Sequence, residues 1–487
     1  MSSGAQTNFV YPDASERSPL AELIALAAPT VAQMASYTFM QFVDTLMLSR
    51  VGEREATAAG NSGLLGFSII SFGIGVLWVV NTLVSQAFGR RDFAACGRYL
   101  WQGLWFAVVL SGVMALLLPL APYIFLIFGH ESALAVLEST YIQIVLGAAV
   151  IKLCGAAIGQ FLLGVDRPRI VMISSIVGVG FNAVAAWAML FGHLGFHPMG
   201  VAGAAWGQNV GVLVETLCLA GFAMQPMLRT TYNLLDWRPR FEAMKTLVIV
   251  GVPAGLQLIA DVLAWSLFSV WVMGQFGTLA MTANTFMMRY MVLSFMPAFG
   301  ISSAITALVG RYIGRGQPDV AVARANLGFK VSAIYMVSCG LFFLIGRHQL
   351  IRLFTSDPQV LQTGAMLLGF AAIYQFFDAL YITYNGALRG AGDTVVPAIA
   401  TGLLCWSITV LGGYLVARYF PQWGPAGPWT VATIYGVILG IFIYTRFRRG
   451  GWRSIHLEHR ETPDTVPGFD PMSPKTPAPA TAVPSSI

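Results

Sequence analysis

Apolar residues recur along the chain from Leu20 to Tyr444 in long runs, separated by short polar breaks. A helix that crosses the hydrocarbon core of a bilayer needs about 20 such residues. The pattern therefore predicts an all-α polytopic membrane protein. Its twelve predicted transmembrane helices cover residues 22–49, 61–88, 100–124, 134–158, 168–191, 201–224, 246–274, 284–312, 329–347, 361–388, 395–418 and 428–446.

A polar break divides these helices into two sets of six. Residues 225–245, between the sixth and seventh helices, form the most polar internal stretch and are interpreted as a cytoplasmic linker. The predicted organisation is a cytoplasmic N-terminal segment (1–20), an N-lobe (21–224), the linker (225–245), a C-lobe (246–446) and a cytoplasmic tail (447–487). From about residue 461 the tail is rich in Pro, Thr, Ala and Ser, which is typical of disorder.

The two halves show a weak internal repeat at an offset of about 225 residues. Pro29 and Gln33 match Pro253 and Gln257, and the Gly-Val-Ala-Gly run at 200–203 matches Gly-Pro-Ala-Gly at 424–427. Because each half has an even number of helices, both halves enter the membrane from the same side. The pattern therefore predicts two pseudo-symmetric six-helix lobes around a central cavity, with the pseudo-axis along the membrane normal.

The composition supports a membrane protein and excludes other classes. Hydrophobic residues make up 56% of the 487 residues and charged residues only 10%, against about 25% charged in soluble domains. The first 20 residues lack the basic, then apolar, pattern of a cleaved signal peptide, so none is expected. The five cysteines are scattered, without disulfide or zinc spacing.

The distribution of basic residues predicts the orientation. When the loops are assigned alternately to the two sides, one side has 21 Lys and Arg residues and the other has 5. The positive-inside rule then places both termini in the cytoplasm. This asymmetry accounts for the net charge of +6 without a nucleic-acid partner.

A carboxylate lies within the tenth predicted helix. Tyr374, Asp378, Tyr381 and Asn385 follow one another at spacings of four, three and four, so they share one helix face. A charge in a membrane helix costs about 3 kcal/mol on insertion scales, and such a residue usually faces a cavity and has a function. The structural alternative is a carboxylate that neighbouring helices satisfy.

Three other acids also lie within predicted helices. Asp44 ends a polar stripe that also contains Gln33, Tyr37 and Gln41. Asp261 lies four residues after Gln257 and four residues before Trp265, on the same helix face. For Glu215, in the inner half of its helix, a structural or snorkelling role is favoured. Lys152 and Arg289 are the bases inside predicted helices, and pairing with either would be the structural explanation for an acid.

These acids suggest an ion-coupled mechanism. A carboxylate in a low-dielectric cavity can take up a proton, and its oxygens can instead bind Na⁺, a hard cation that prefers oxygen ligands. Either event can be linked to the exit of a solute by alternating access. Aromatic rings and Met suit a loosely selective pocket, and its candidate residues are Trp265, Gln257, Phe376, Tyr381 and Met288.

Three motifs and the repeat resemble those of the MATE (multidrug and toxic compound extrusion) family, in its NorM-like bacterial branch. The motifs are Gln41-Phe42-Val43-Asp44-Thr45, the spacing from Pro253 to Asp261, and the run from Tyr374 to Ala379 with Leu388-Arg389-Gly390. The resemblance implies a secondary antiporter that exports cationic, aromatic compounds in exchange for Na⁺ or H⁺. It implies a C-lobe ion site of Asp261, Asp378 and Tyr374 and an N-lobe site of Asp44 with Asn182. NorM-type members usually carry Glu at the position of Asp261.

Other functions stay open at this point. One is a flippase for lipid-linked oligosaccharides, which would favour a cationic cavity; another is a membrane-embedded enzyme, although no Walker, His-Glu-x-x-His or Gly-x-Ser-x-Gly motif is present. No cofactor is expected apart from the coupling ion. The expected partners are drug-like small molecules and membrane lipids, for a monomer in the bacterial inner membrane.

Overall fold

The computed structural model of the protein describes residues 18–127, 131–455 and 457. This part of the chain is built from α-helices: α1 Pro19–Ser49, α2 Glu53–Gly89, α3 Phe93–Ala115, α4 Ala121–Ile127, α5 Ser132–Gly147, α6 Ala149–Gly164, α7 Pro168–Phe191, α8 Val201–Ala223, α9 Pro226–Thr231, α10 Phe241–Leu267, α11 Gly277–Gly314, α12 Pro318–Arg352, α13 Pro358–Ala391, α14 Val395–Leu404, α15 Gly413–Tyr419 and α16 Ala426–Arg449.

The ends of these helices follow from their local sequence. Five helices (α1, α7, α9, α12 and α13) begin with proline, whose fixed φ angle suits the first helical turn. The Asp92 side chain accepts a hydrogen bond from the Ala95 amide (2.9 Å) and thereby caps α3. Helices α7, α13 and α16 end at glycines with φ angles of 77°, 87° and 71°, a left-handed conformation that glycine adopts without strain.

Each of the twelve predicted helices corresponds to one helix or to consecutive helices, but four of them are interrupted. The third passes from α3 through a 3₁₀ turn, Leu118–Leu120, into α4. The fourth is bent by 45° between α5 and α6. The seventh passes from α10 into a π-helical turn at Phe268–Val272 and a 3₁₀ turn at Met273–Phe276. The eleventh has a π-helical segment, Cys405–Gly412, between α14 and α15. An apolar run indicates the length of a span, whereas these interruptions depend on packing against neighbouring helices.

Length and composition alone mark nine stretches of the described chain as able to cross a membrane, or ten if α5 and α6 form one span. One of the nine is the 74-residue stretch Phe241–Gly314. As a single helix it would be about 110 Å long, far more than the hydrocarbon thickness of about 30 Å. It therefore contains two spans, α10 and α11, and α8 is the remaining helix of the predicted twelve.

The same helix pairings recur in the first half (α1–α8) and the second half (α10–α16). In the first half, α2 packs against α3, α5 and α6, α1 packs against α7, and α7 packs against α8. In the second half, α11 packs against α12 and α13, α10 against α14, and α15 against α16. The repeat in the sequence therefore has a counterpart in the packing. The residue boundaries predicted for the two lobes stay a prediction, because the described residues up to Ile455 form one compact unit.

The two halves meet at one end of the bundle, which we call the basic end. It comprises the start of α1, the end of α16, and the connections α2–α3, α6–α7, α8–α10, α11–α12 and α13–α14. Here Glu22 accepts hydrogen bonds from Tyr312 (2.9 Å) and from Arg324 (2.7 Å). Farther along α1, the Thr30 hydroxyl donates to the Gly300 carbonyl (2.8 Å). These contacts join α1 of the first half to α11 and α12 of the second half.

The predicted linker is ordered and packs along α3. The indole nitrogen of Trp101 donates to the Leu234 carbonyl (3.0 Å), and that of Trp105 donates to the Trp237 carbonyl (2.9 Å). At the other end of the chain, α16 continues three residues past the predicted boundary of 446. Residues 1–17 and the tail from residue 458, including the segment predicted to be disordered, lie outside the described residues.

Candidate functional site

The second half brings most of its predicted site residues together between α10, α13 and α14. The Tyr381 hydroxyl donates a hydrogen bond to Oδ2 of Asp261 (3.3 Å). Gln257 donates to the Tyr381 oxygen (3.1 Å) and to the Thr401 hydroxyl (3.0 Å). Asn385 lies 3.5 Å from the same Gln257 nitrogen. The polar stripe of α13 thus faces the polar positions of α10.

Two carboxylates, Asp261 and Asp378, lie in this cluster, and neither forms an ion pair with a base among the described residues. Asp378 is only 7% exposed, and it lies close enough to Asp261 for the two charges to interact. Oδ1 of Asp261 is buried and has no hydrogen-bond partner among the described residues. Two neighbouring carboxylates in a low-dielectric site cannot both stay charged without compensation. The pair can therefore accept a proton or a hard cation.

Aromatic rings line the same cluster. Trp265 meets the ring of Tyr374 edge-on, with 6.0 Å between centroids, and lies at the same distance from Trp429. Tyr374 is buried and interacts electrostatically with both carboxylates. Met288 packs against the neighbouring apolar cluster.

Phe376 lies apart from this group. It is 42% exposed and packs against Phe329 and Phe377. Its neighbours on α13 in the polar stripe, Tyr374 and Asp378, are buried. No contact in the described residues joins it to the acids, and its role in a substrate cavity stays a prediction.

The first half contains a second polar group along α1. The side-chain amide of Asn182, on α7, donates to both oxygens of Asp44 (3.0 and 3.2 Å). About two turns before Asp44 on α1, the Tyr37 hydroxyl donates a hydrogen bond to Glu215 on α8. Gln33 donates to the Tyr37 oxygen (3.3 Å). Two predicted members, Asp44 and Asn182, therefore lie together.

The remaining predicted residues are less engaged. Gln41 is exposed, and the bond that it accepts, from Thr45, goes to its backbone carbonyl. Arg289 is exposed as well. In the described part of the chain, no ion pair joins Asp44, Asp261 or Asp378 to a lysine or an arginine. Pairing with a base does not explain these three acids.

Sequence reasoning missed several members of the site. Thr401 and Tyr435 complete the polar environment near Gln257 and Asp261, but neither stands in a polar stripe of its own helix. The sequence favours a structural or snorkelling role for Glu215, whereas its contact with Tyr37 joins helices that are far apart in the chain. A single polar residue in an apolar run gives no signal about its partner.

The run Leu388-Arg389-Gly390 lies where the halves meet. The Arg389 guanidinium stacks over the rings of Trp78 (4.9 Å) and Phe299 (6.0 Å). Its backbone carbonyl accepts a hydrogen bond from Thr82 (2.9 Å). This arginine therefore joins α13 to α2 of the other half, rather than neutralising the acids of α13.

A bundle of membrane-spanning helices with enclosed carboxylates and repeated halves is the architecture of a secondary transporter. The chain belongs to the MatE family, whose model matches residues 29–188 and 253–415. The two matched segments fall in the two halves, and the recognition from sequence motifs is confirmed.

Curated relatives agree with this assignment. The chain is 29% identical to "Probable multidrug resistance protein NorM" of Mesorhizobium japonicum over 447 residues, which covers 89% of this chain and 94% of that protein. It is 27% identical to "Multidrug resistance protein PmpM" of Pseudomonas aeruginosa over 463 residues, 91% of this chain and 94% of that protein.

Among solved structures, an outward-facing multidrug resistance MATE family transporter of the MOP superfamily matches with a TM-score of 0.83 and 20% identity, covering 90% of this chain and 98% of that one. A MOP superfamily transporter from Pyrococcus furiosus matches with a TM-score of 0.82, 19% identity and the same coverage. The predicted all-α, polytopic fold is confirmed.

Proposed function

We propose that the protein is a secondary antiporter that exports organic cations with aromatic rings in exchange for Na⁺ or H⁺. The observation that carries this proposal is the pair of enclosed carboxylates, Asp261 and Asp378, without a lysine or arginine partner in the described residues. An inbound ion compensates the negative charge of the pair. The release of this ion is linked to the change of the site from facing one side of the membrane to facing the other.

Aromatic side chains beside the acids support the substrate class. Tyr374 lies next to both acids and Trp265 contacts its ring, and aromatic faces and carboxylates both attract cations. The names of the curated relatives, which refer to multidrug resistance, agree with the export of drug-like compounds. We assign the coupling role to Asp261, Asp378 and Tyr374, and a second one to Asp44 with Asn182.

The proposed setting is the bacterial inner membrane, with the basic end and both termini in the cytoplasm and the protein as a monomer among lipids. The 21 to 5 asymmetry of basic residues supports this orientation. In it, the contacts between Glu22, Tyr312 and Arg324 close the cytoplasmic side.

The decisive experiment is ethidium export from proteoliposomes under separately imposed Na⁺ and pH gradients. We expect export to respond to at least one gradient, and the responding gradient identifies the coupling ion. A response to neither would contradict antiport and favour the flippase or the enzyme. Empty liposomes with the same gradients control for passive leakage of the dye.

A further inference from the structure

Glu215 and Lys152 are an acid and a base that lie near each other in the first half without forming an ion pair. Their charges interact. Yet no nitrogen–oxygen distance between the two side chains is within 4.0 Å, because the ion pairs of the described residues do not include them.

The packing of α6, α7 and α8 fixes this arrangement. The Thr216 hydroxyl, next to Glu215, donates to the carbonyl of Ile151, next to Lys152 (3.2 Å). A Cβ added at Gly178 would lie 2.8 Å from Cβ of Glu215, so α7 packs directly against the glutamate. The spacing between the acid and the base is therefore a property of the backbone packing.

Each charged group retains open bonding capacity. Oε1 of Glu215 accepts the hydrogen bond from Tyr37. The other carboxylate oxygen of Glu215 and the ammonium of Lys152 have no hydrogen-bond partner among the described residues. Neither atom is fully enclosed. Both residues are partly exposed, so these groups can take up a further partner.

We infer that Glu215 is a cation-binding residue of the first half and that Lys152 is its resident counter-ion. An incoming aromatic cation binds Glu215 beside the ring of Tyr37, and its charge replaces the compensation that Lys152 provides from a distance. The inference rests on the proposed export of organic cations, and it adds a binding residue outside the pair formed by Asp261 and Asp378.

The charge arrangement sets the expected sign of each substitution. Without Lys152, the carboxylate of Glu215 is less compensated and attracts a foreign cation more strongly. Without the charge of Glu215, the ligand loses its counter-charge, and the removal of Lys152 can no longer strengthen cation binding. The two substitutions therefore form a double-mutant cycle with a defined coupling.

The test is equilibrium binding of ethidium, a monocation, to the purified full chain without any gradient, compared with the uncharged probe N-phenyl-1-naphthylamine. We expect Glu215→Gln to weaken ethidium binding about tenfold and Lys152→Gln to strengthen it about threefold, as for the loss of one partly desolvated charge contact. In the Glu215→Gln background, Lys152→Gln should have no further effect. Binding of the uncharged probe should stay unchanged in every variant.

Lys245→Gln, which removes the same charge from an exposed position on α10, is the matched control and should leave ethidium binding unchanged. Equal ethidium affinity of Glu215→Gln and the wild type, or parallel losses for both probes, would overturn the inference. If Glu215→Gln does not fold, Lys152→Gln alone decides, since unchanged or weaker ethidium binding contradicts the counter-ion role. Failure of ion-driven export would overturn the proposed function and leave these binding results intact.

Discussion

Tyr381 donates a hydrogen bond to one oxygen of Asp261 across 3.3 Å, while the other oxygen of this carboxylate is buried without a partner in the described residues. The carboxylate is thus held at one oxygen and available at the other. That arrangement positions an acceptor for an ion instead of satisfying a structural charge.

Removing the positioning bond should impair transport without abolishing it. A hydrogen bond to a charged group contributes about 1.5–3 kcal/mol, so we expect Tyr381→Phe to reduce ethidium export by about tenfold or more. Asp261→Asn, which removes the ion acceptor itself, should abolish export. Rates from proteoliposomes with equal amounts of protein measure both effects. Tyr419→Phe, at an exposed position, is the control; normal export by Tyr381→Phe would argue against the positioning role.

Asp378 should be essential for drug resistance. We expect Asp378→Asn to abolish resistance to ethidium in a host that lacks its own efflux pumps. The pair then has one carboxylate, so an inbound ion is no longer needed to compensate two charges. Growth at rising dye concentration, with the amount of protein in the membrane measured in parallel, checks this. Asp236→Asn removes an acid from the linker, where Asp236 pairs with Arg240 (2.9 Å), and should keep full resistance. Full resistance of Asp378→Asn would refute the coupling assignment.

Glu22 should govern closure of the basic end. It is 4% exposed and accepts bonds from Tyr312 and Arg324, with Arg311 at 3.8 Å. Breaking a buried charged network typically costs about 3–5 kcal/mol, so Glu22→Gln should shift the population toward an open basic end. Spin labels on cysteines that replace Arg169 and Gln317, in a background without the native cysteines, would report the distance across this end.

The control for Glu22 is an acid on the surface of the same end. Asp319 pairs with Arg453 (2.8 Å) but its side chain is 86% exposed, and exposed pairs contribute about 0–1 kcal/mol. Asp319→Asn should therefore leave the distance distribution unchanged. An unchanged distribution in Glu22→Gln as well would show that other contacts, such as that of Thr30 with Gly300, keep the end closed.

The sequence predicted the fold well because membrane spans depend on local apolar length. All twelve predicted helices have helical counterparts, and the acids within them followed from the cost of a charge in lipid. The breaks at Ala148 and within Cys405–Gly412 were not predictable, since they depend on packing between helices. For the same reason the sequence predicts the stripe from Tyr374 to Asn385, whose members share one helix. It does not predict Thr401, which contacts Gln257 from another helix.

Close helix packing between the halves gives a last prediction, at Gly75. A Cβ at this position of α2 would lie 2.7 Å from Cα of Gly255 and 2.8 Å from the Ala254 carbonyl oxygen, both on α10. Because backbone atoms cannot move aside as a side-chain end can, Gly75→Ala should force the two halves apart and destabilise the protein by roughly 1–3 kcal/mol, as overpacking does. Thermal unfolding of the purified protein should show a lower midpoint, and inter-half spin-label distances should broaden.

Gly63→Ala, on the same helix with nothing within 4 Å of the added Cβ, should leave both measurements unchanged or raise the midpoint, since alanine favours the helix. Equal midpoints for the two variants would mean that α2 and α10 do not pack this closely at Gly75.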